Sequence, residues 1–150
     1  MPQKEKINQI EKNGMTIKWC HSDELIEIEM HTPTSGWLAV GFNEIDGLEG
    51  TYLIMGAVSE MGTTLYEHYI FKPGDYRSFE NLGIASSVQH VHGQEGDEGT
   101  TIMVHLPNDM MSKYTKLLSK GARFHMLMAY SAADDFDHHS MMRTSINVKL

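Results

Sequence analysis

Two histidines separated by a single residue are the first feature of this sequence that could do chemistry. His90 and His92 flank a valine, and in an extended strand such a pair projects from one face with about 7 Å between the two positions. With Glu95 close by, two imidazoles and a carboxylate can hold a divalent metal ion. The alternative is a pair of surface histidines at the end of a hairpin. Both interpretations stay open, because so short a match depends on its structural context.

A second group of ligand-type residues is concentrated in one short segment near the carboxyl end. Residues 134–139 read DDFDHH, so three carboxylates and two imidazoles are neighbours. Oxygen and nitrogen donors of this kind can bind a cation. A solvated acidic turn, anchored in the core by Phe136, explains the same composition equally well.

Methionine and histidine are unusually frequent, with 12 and 9 residues. Both can ligate metals or haem iron, although core packing is the commoner role of methionine. Several methionines lie in or beside apolar segments and together would suit an irregular pocket for a flat, greasy ligand. These are Met55, Met61, Met103, Met126, Met128, Met141 and Met142.

Several classes of active site find no support in the sequence. The nucleophile motif GxSxG and the nucleotide motifs GxGxxG and GxxxxGK[ST] do not occur, so hydrolase and nucleotide chemistry are not indicated. Cys20 is the only cysteine, which excludes an internal disulfide, an iron–sulfur cluster and a cysteine-rich zinc site. A binding module is therefore favoured over a catalyst.

Size and charge narrow the choice of partners. The 150 residues fit one domain, and the net charge of −8 opposes binding to nucleic acid or anionic lipid. No apolar run approaches the roughly 18 residues of a membrane helix, and residues 1–11 lack the apolar segment of a secretory leader. A small-molecule ligand remains compatible with these features.

The elements that must position these residues are predicted to be strands. Met15–His21 and Leu25–Thr32 alternate between apolar and polar residues, whereas Trp37–Phe42 and Tyr52–Val58 are apolar on both faces. Gly41 within the third strand indicates a close approach of another backbone or a bulge. The other predicted strands are Leu65–Lys72, Ile84–His92, Thr100–Leu106, Phe124–Tyr130 and Met142–Leu150.

This pattern predicts an all-β protein, a two-sheet sandwich of about nine to eleven strands. Met110–Lys120, which ends before Gly121, is the one short helix expected. Residues 1–13 are predicted to be an N-terminal extension, and residues 14–150 a single domain.

Four segments follow one another in a distinctive order. They are an early strand ending at Trp19 with the alternating strand Leu25–Met30, the sequence GWLAVGFN at 36–43, GLEGTYLIMG at 47–56, and MAY at 128–130 followed by DFDHHSMMR at 135–143. In this order they resemble the DOMON domain, the family named for the N-terminal region of dopamine β-monooxygenase. The resemblance covers roughly residues 14–150.

The resemblance implies an immunoglobulin-like β-sandwich, usually outside the cytoplasm, that binds haem or sugars. Several members are b-type cytochrome modules, whose iron is held by a methionine in the loop before the fourth strand and a histidine in the last loop. Carried onto this chain, His139 stands at the histidine position, four residues before Arg143, but Leu48 stands at the methionine position. Leucine cannot donate to iron, and Thr51 replaces the usual aspartate.

The resemblance thus predicts a periplasmic or extracellular module for electron transfer or haem sensing, with haem b as its cofactor. Its expected partner is a small-molecule ligand or a redox protein. The pocket is expected between the sheets, with iron bound to His139 and with Arg143 nearby. Its expected walls are Trp37, Leu48, Tyr52, Met55 and Met128. A sixth ligand would be missing or would come from Met55, Met141 or Met142.

Two alternatives are kept. The same pocket without iron would accept a sugar stacked on Trp19, Trp37 or Tyr52, and the His90–His92 pair would instead place a divalent metal on a β scaffold.

Overall fold

The structure is a computed structural model that describes residues 7–109, 112–133 and 140–150. It confirms the all-β prediction, because the described residues form eleven strands and no helix. The strands are β1 (Asn8–Lys12), β2 (Met15–His21), β3 (Leu25–Thr32), β4 (Leu38–Asn43), β5 (Tyr52–Ser59), β6 (Gly62–Lys72), β7 (Asp75–Ser78), β8 (His90–Gly96), β9 (Gly99–Pro107), β10 (Arg123–Tyr130) and β11 (Met142–Lys149).

The strands form two antiparallel sheets that pack face to face. One has five strands in the order β1-β2-β3-β9-β8, and the other has six in the order β11-β10-β4-β5-β6-β7. Because successive side chains of a strand point to opposite faces, each sheet has one face toward its partner and one face outward. The two inner faces make the sandwich core, and the outer faces are available for function.

The space between the sheets is filled by side chains. Ile26 and Ile28 of the five-stranded sheet meet Val40, Phe42 and Ile54 of the six-stranded sheet in one buried cluster. Interiors packed at the density of protein cores leave no room for a ligand. The predicted pocket between the sheets is therefore wrong in location.

A second buried apolar cluster covers the outer face of the six-stranded sheet. It contains Trp37, Ala39, Leu53, Met55, Ala57, Ile70 and Ala129, with Leu48 and Leu127 packed against it. All these strand residues occupy the positions that alternate with the core positions. The six-stranded sheet is thus apolar on both faces, which explains why β4 and β5 read as continuous apolar runs.

Two strands at sheet edges were not predicted, and one predicted helix does not exist in the described residues. β1 pairs with β2 from Asn8↔Trp19 to Lys12↔Met15, so part of the expected N-terminal extension belongs to the five-stranded sheet. β7 has four residues and pairs only with β6. Of the predicted helix, Met110 and Met111 lie outside the described residues, and 112–120 contains turns and bends.

The segment before β8 is held by a side chain instead of a strand. Glu67, on the inner face of β6, accepts hydrogen bonds from the Ser86 hydroxyl (2.9 Å) and the Ser87 backbone N–H (2.8 Å) through Oε1. Its Oε2 accepts from the Ser87 hydroxyl and from the Tyr52 hydroxyl at 2.6 Å. Because this carboxylate takes the place of a backbone partner, the apolar residues from Ile84 onward do not form the predicted strand, and β8 begins only at His90.

Candidate ligand-binding site

The loop between β4 and β5 is built around one buried asparagine. Asn43 Nδ2 donates to the carbonyls of Gly47 (2.9 Å) and Glu49 (2.8 Å), and its Oδ1 accepts from the Glu44 N–H. The Thr51 N–H also donates to the Leu48 carbonyl at 3.1 Å. These bonds close the loop into a compact turn and place Leu48 against the outer face of the sheet.

Beside this loop the outer face opens into a cavity of about 250 Å³. Its lining combines apolar residues with carboxylate, hydroxyl, imidazole and guanidinium groups. The lining residues are Asp46, Gly47, Leu48, Thr51, His125, Leu127, Arg143, Thr144 and Ser145. Sites for small ligands have this mixture of apolar surface and a few polar groups.

A second hollow continues the cavity toward the end of β10 and β11. It measures about 370 Å³ and shares His125 with the first. Glu44, Arg123, Asn147 and Lys149 are among its other lining residues. The two hollows adjoin at His125, and we call them together the outer groove.

The outer groove carries more than one basic group. Arg143 lines its first part, and Arg123 and Lys149 line the second. Of the acidic residues there, Glu44 is paired with Lys116 at 2.7 Å. Basic groups near a partly apolar surface suit a ligand that is apolar in its body and anionic at its rim.

Gly41 gives the groove its depth. A Cβ at this position would lie 2.6 Å from Thr51 Cγ2, 3.2 Å from Leu53 Cδ1 and 3.3 Å from Leu127 Cβ. The close approach predicted for this glycine is present, but side chains make it. Any larger residue would push Thr51 and Leu127 into the cavity.

The structure brings together some of the predicted pocket residues and separates others. Leu48 and Arg143 line the outer groove, and Trp37 and Met55 belong to the adjoining apolar cluster on the same face. Tyr52 and Met128 lie instead in the core between the sheets. They point inward because their positions alternate with those of the outer-face residues.

The predicted iron ligand His139 lies outside the described residues, as does the rest of 134–139. Met141 is 68% exposed. The imidazole that the described residues do place in the groove belongs to His125, which sequence reasoning missed. Its position between the buried residues Phe124 and Met126 marks it as facing the other side of β10, so strict alternation could have found it.

The His90–His92 pair is far from this groove in the fold. Both histidines lie on β8, at the edge of the five-stranded sheet, and both are exposed. Glu95, the third expected ligand, falls on the opposite face of the strand, since it pairs with buried Thr100 whereas His92 pairs with Met103. The three-residue metal site predicted from this segment is therefore wrong.

A buried histidine on the outer face of the six-stranded sheet makes stability depend on pH. His68 is 7% exposed, and its Nδ1 has no hydrogen-bond partner among the described residues. Burial lowers the pKa of His68 below its ordinary value of 6.5, and a hydrogen bond with the Tyr66 backbone opposes this only in part. The folded chain therefore disfavours the charged imidazole.

We expect this histidine to destabilise the fold in mild acid. Below about pH 6.5 the imidazole is protonated in the unfolded chain more readily than in the folded chain. The free energy of unfolding therefore decreases as the pH is lowered, by up to about 1.4 kcal/mol per pH unit. Urea unfolding of the wild type and His68→Gln between pH 7.5 and 5 measures the difference. The variant should show the shallower dependence, while His92→Gln, at an exposed position, should match the wild type. Parallel curves for His68→Gln and wild type would exclude the effect.

Comparison with known proteins agrees with the fold described here. The family model of the DOMON domain matches residues 11–131. The crystal structure of the cytochrome b domain of pyranose dehydrogenase from Coprinopsis cinerea superposes with a TM-score of 0.68 at 10% identity, covering 95% of this chain and 81% of that one.

No curated protein sequence matches this chain significantly. Within the described residues, no helix is long and apolar enough to cross a membrane. The family match spans most of the chain and includes the GWLAVGFN strand and the loop that holds Leu48. This chain belongs to the DOMON domain family.

Proposed function

We propose that this DOMON domain is an extracytoplasmic binding module whose ligand is haem b, seated in the outer groove. The observation that supports it most is the groove itself, which combines an apolar wall, basic residues and an imidazole at the loop that carries the family's ligand position. The structural similarity to a cytochrome b domain supports the same ligand.

The described residues fit haem in part. Leu48 and Leu127 offer apolar contact, and Arg143 can pair with a propionate carboxylate. His139 is the proposed iron ligand, and His125 is the imidazole that lines the groove. Position 48 does not fit methionine–histidine ligation, because leucine has no donor atom.

When bound, haem would supply one-electron chemistry, or binding of a small molecule if one iron position stays open. The residues of this chain would bind the haem and orient it. The Asn43 bonds hold the loop at one side of the groove, and the outer-face apolar cluster around Trp37 and Met55 excludes water beside it. A redox protein is the proposed partner in the electron-transfer form of this function.

Haemin titration of the purified chain tests the proposal. We expect uptake of one haemin with a Soret band, and loss of that band in His139→Ala. Leu48→Met should convert the spectrum to the low-spin six-coordinate form, because the new thioether stands at the family's ligand position. His90→Ala, on the other sheet, is the matched control and should bind as the wild type does. Absence of uptake, or uptake unaffected by both His139→Ala and His125→Ala, would contradict the haem assignment.

A sugar is the second candidate, favoured by the polar part of the groove. The side chains of Asp46, Thr51 and Ser145 offer hydrogen-bonding groups for ligand hydroxyls, and about 250 Å³ suits a small ligand. Stacking on Trp19, Trp37 or Tyr52 is not part of this candidate, since all three rings are buried. If haemin is not taken up, calorimetric titration with monosaccharides tests the sugar candidate.

A further inference from the structure

The outer face of the five-stranded sheet carries a row of metal-ligand residues on neighbouring strands. Cys20 pairs with Glu27, Glu27 with His105, and His105 with His90. Residues directly opposite one another in an antiparallel sheet have Cβ atoms about 4.5–5.5 Å apart. The row therefore joins β2, β3, β9 and β8 through side chains that share one face.

The histidine pair at the end of this row has the spacing of two imidazoles on one metal ion. The ring centres of His90 and His105 lie 5.3 Å apart, with 44° between the ring planes. Two imidazoles bound to one ion at about 2.0 Å have ring centres about 4.5 Å apart in the cis positions of a square-planar Cu²⁺, and about 5 Å apart at a tetrahedral angle. His90 is exposed, so small side-chain rotations bring its nitrogen into place without moving the strand.

Glu27 orients the inner imidazole of the pair. Its Oε1 lies 3.1 Å from His105 Nε2, and Nδ1 of the same ring is then the nitrogen open to an ion. A carboxylate on one ring nitrogen and a metal on the other is the usual arrangement of metal-bound histidine, because the carboxylate fixes the ring and raises its basicity. The sheet thus supplies His105 as a metal ligand and Glu27 as the carboxylate that orients it.

The next row of the same face adds softer donors. His92 pairs with Met103, and each lies two residues from a member of the histidine pair. Imidazole nitrogens bind Cu²⁺ more strongly than the other divalent first-row metals, whereas the Met103 thioether is a soft donor that suits Cu(I). His92, and not Met103, is therefore the additional donor for Cu²⁺. No three His, Cys, Asp or Glu side chains in the described parts of the chain form a ready-made metal site, so an ion bound by this pair would take its remaining ligands from outside the pair.

We propose that His90 and His105, supported by Glu27, bind a Cu²⁺ ion on the outer face of the five-stranded sheet. The ion would sit on the sheet opposite to the one that carries the outer groove, so this site is independent of the proposed haem function. Zn²⁺ would bind the same pair more weakly, following the general order of affinities.

Substoichiometric Cu²⁺ added to the full chain tests the site. Histidine ring protons followed by NMR should broaden first at His90 and His105, and the copper electron paramagnetic resonance spectrum should show two coupled nitrogens. His90→Gln and His105→Gln should each weaken the tightest site by about tenfold or more, and Glu27→Gln should weaken it at the low end of a 10–100-fold range.

His31→Gln is the matched control. His31 lies on the same outer face but is bonded through Nδ1 to the Thr101 hydroxyl at 2.8 Å, so its loss should leave the tightest copper site unchanged. The proposal is overturned if the first rings to broaden are those of His138 and His139, or if neither His90→Gln nor His105→Gln changes the affinity.

Discussion

Glu67→Ala should lower the free energy of unfolding by about 2–4 kcal/mol. The Glu67 carboxylate is 4% exposed and accepts hydrogen bonds from Tyr52, Ser86 and Ser87. Alanine leaves the buried Tyr52 hydroxyl without its partner, and an unsatisfied buried donor costs about 1–3 kcal/mol. Ser86 is exposed and Ser87 half-buried, so water can replace part of their bonds and their loss costs less. Burial and the nearby Glu67 charge raise the pKa of Tyr52 well above its ordinary value of 10.0, so the phenol remains a donor throughout the working pH range.

Urea unfolding at pH 7 measures this effect. Glu67→Gln keeps one carbonyl acceptor, so its free energy of unfolding should fall less than that of Glu67→Ala. The difference between the two variants separates the loss of acceptors from the loss of packing. Glu60→Ala is the control, because Glu60 lies exposed in the turn between β5 and β6. A Glu67→Ala protein as stable as Glu60→Ala would show that the carboxylate does not hold the segment before β8.

Gly36→Ala should destabilise the fold and weaken ligand binding together. A Cβ on Gly36 would collide with the backbone of Ser131, Ala132 and Ala133. That segment is tied to its neighbours, since the Trp37 N–H donates to the Ala133 carbonyl and the Ser131 N–H to the Trp37 carbonyl, both at 2.9 Å. Backbone atoms cannot yield as a flexible side chain does, so we expect a loss of about 3 kcal/mol.

The Gly36→Ala collision should also affect His139, the proposed haem ligand. Residues 131–133 lead directly into the segment that contains His139, so their displacement shifts the start of the last loop. We expect the midpoint of thermal unfolding to fall by about 6 °C or more and haemin affinity to fall at least about tenfold, equivalent to 1.4 kcal/mol. Gly96→Ala, where an added Cβ meets nothing within 4 Å, should change neither. Normal stability and normal uptake in Gly36→Ala would contradict this account.

The strands that bury one face could be predicted from the sequence, because alternation reports burial directly. β2 and β3 begin and end where they were predicted. β5, which is buried on both faces, was predicted from its continuous apolar run and differs only by Ser59. β1 and β7 were missed because edge strands of four or five residues bury little and leave a weak pattern. Ile84 and Val88 pack against the core, yet their segment is anchored by the Glu67 side chain, which no local pattern reveals.

The candidate site could be predicted only in outline. The family motif identified Leu48 and Arg143 as candidate site residues, and both line the outer groove. The continuous apolar runs of β4 and β5 indicated burial on both faces, but the sequence did not reveal that the groove opens on the outer face, and the pocket was expected between the sheets. His125 was overlooked because it lies in no motif, and the His90–His105 pairing depends on strands whose register was unknown.

The location of the ligand is the central claim, and amide chemical shifts measure it most directly. Gallium protoporphyrin, a diamagnetic substitute for haem, should perturb the backbone signals of residues 46–51, 125–127 and 143–145, which border the first part of the outer groove. Signals of β2, β3 and β9 in the five-stranded sheet should stay in place. Perturbations centred on the five-stranded sheet, or none at saturating ligand, would contradict the account.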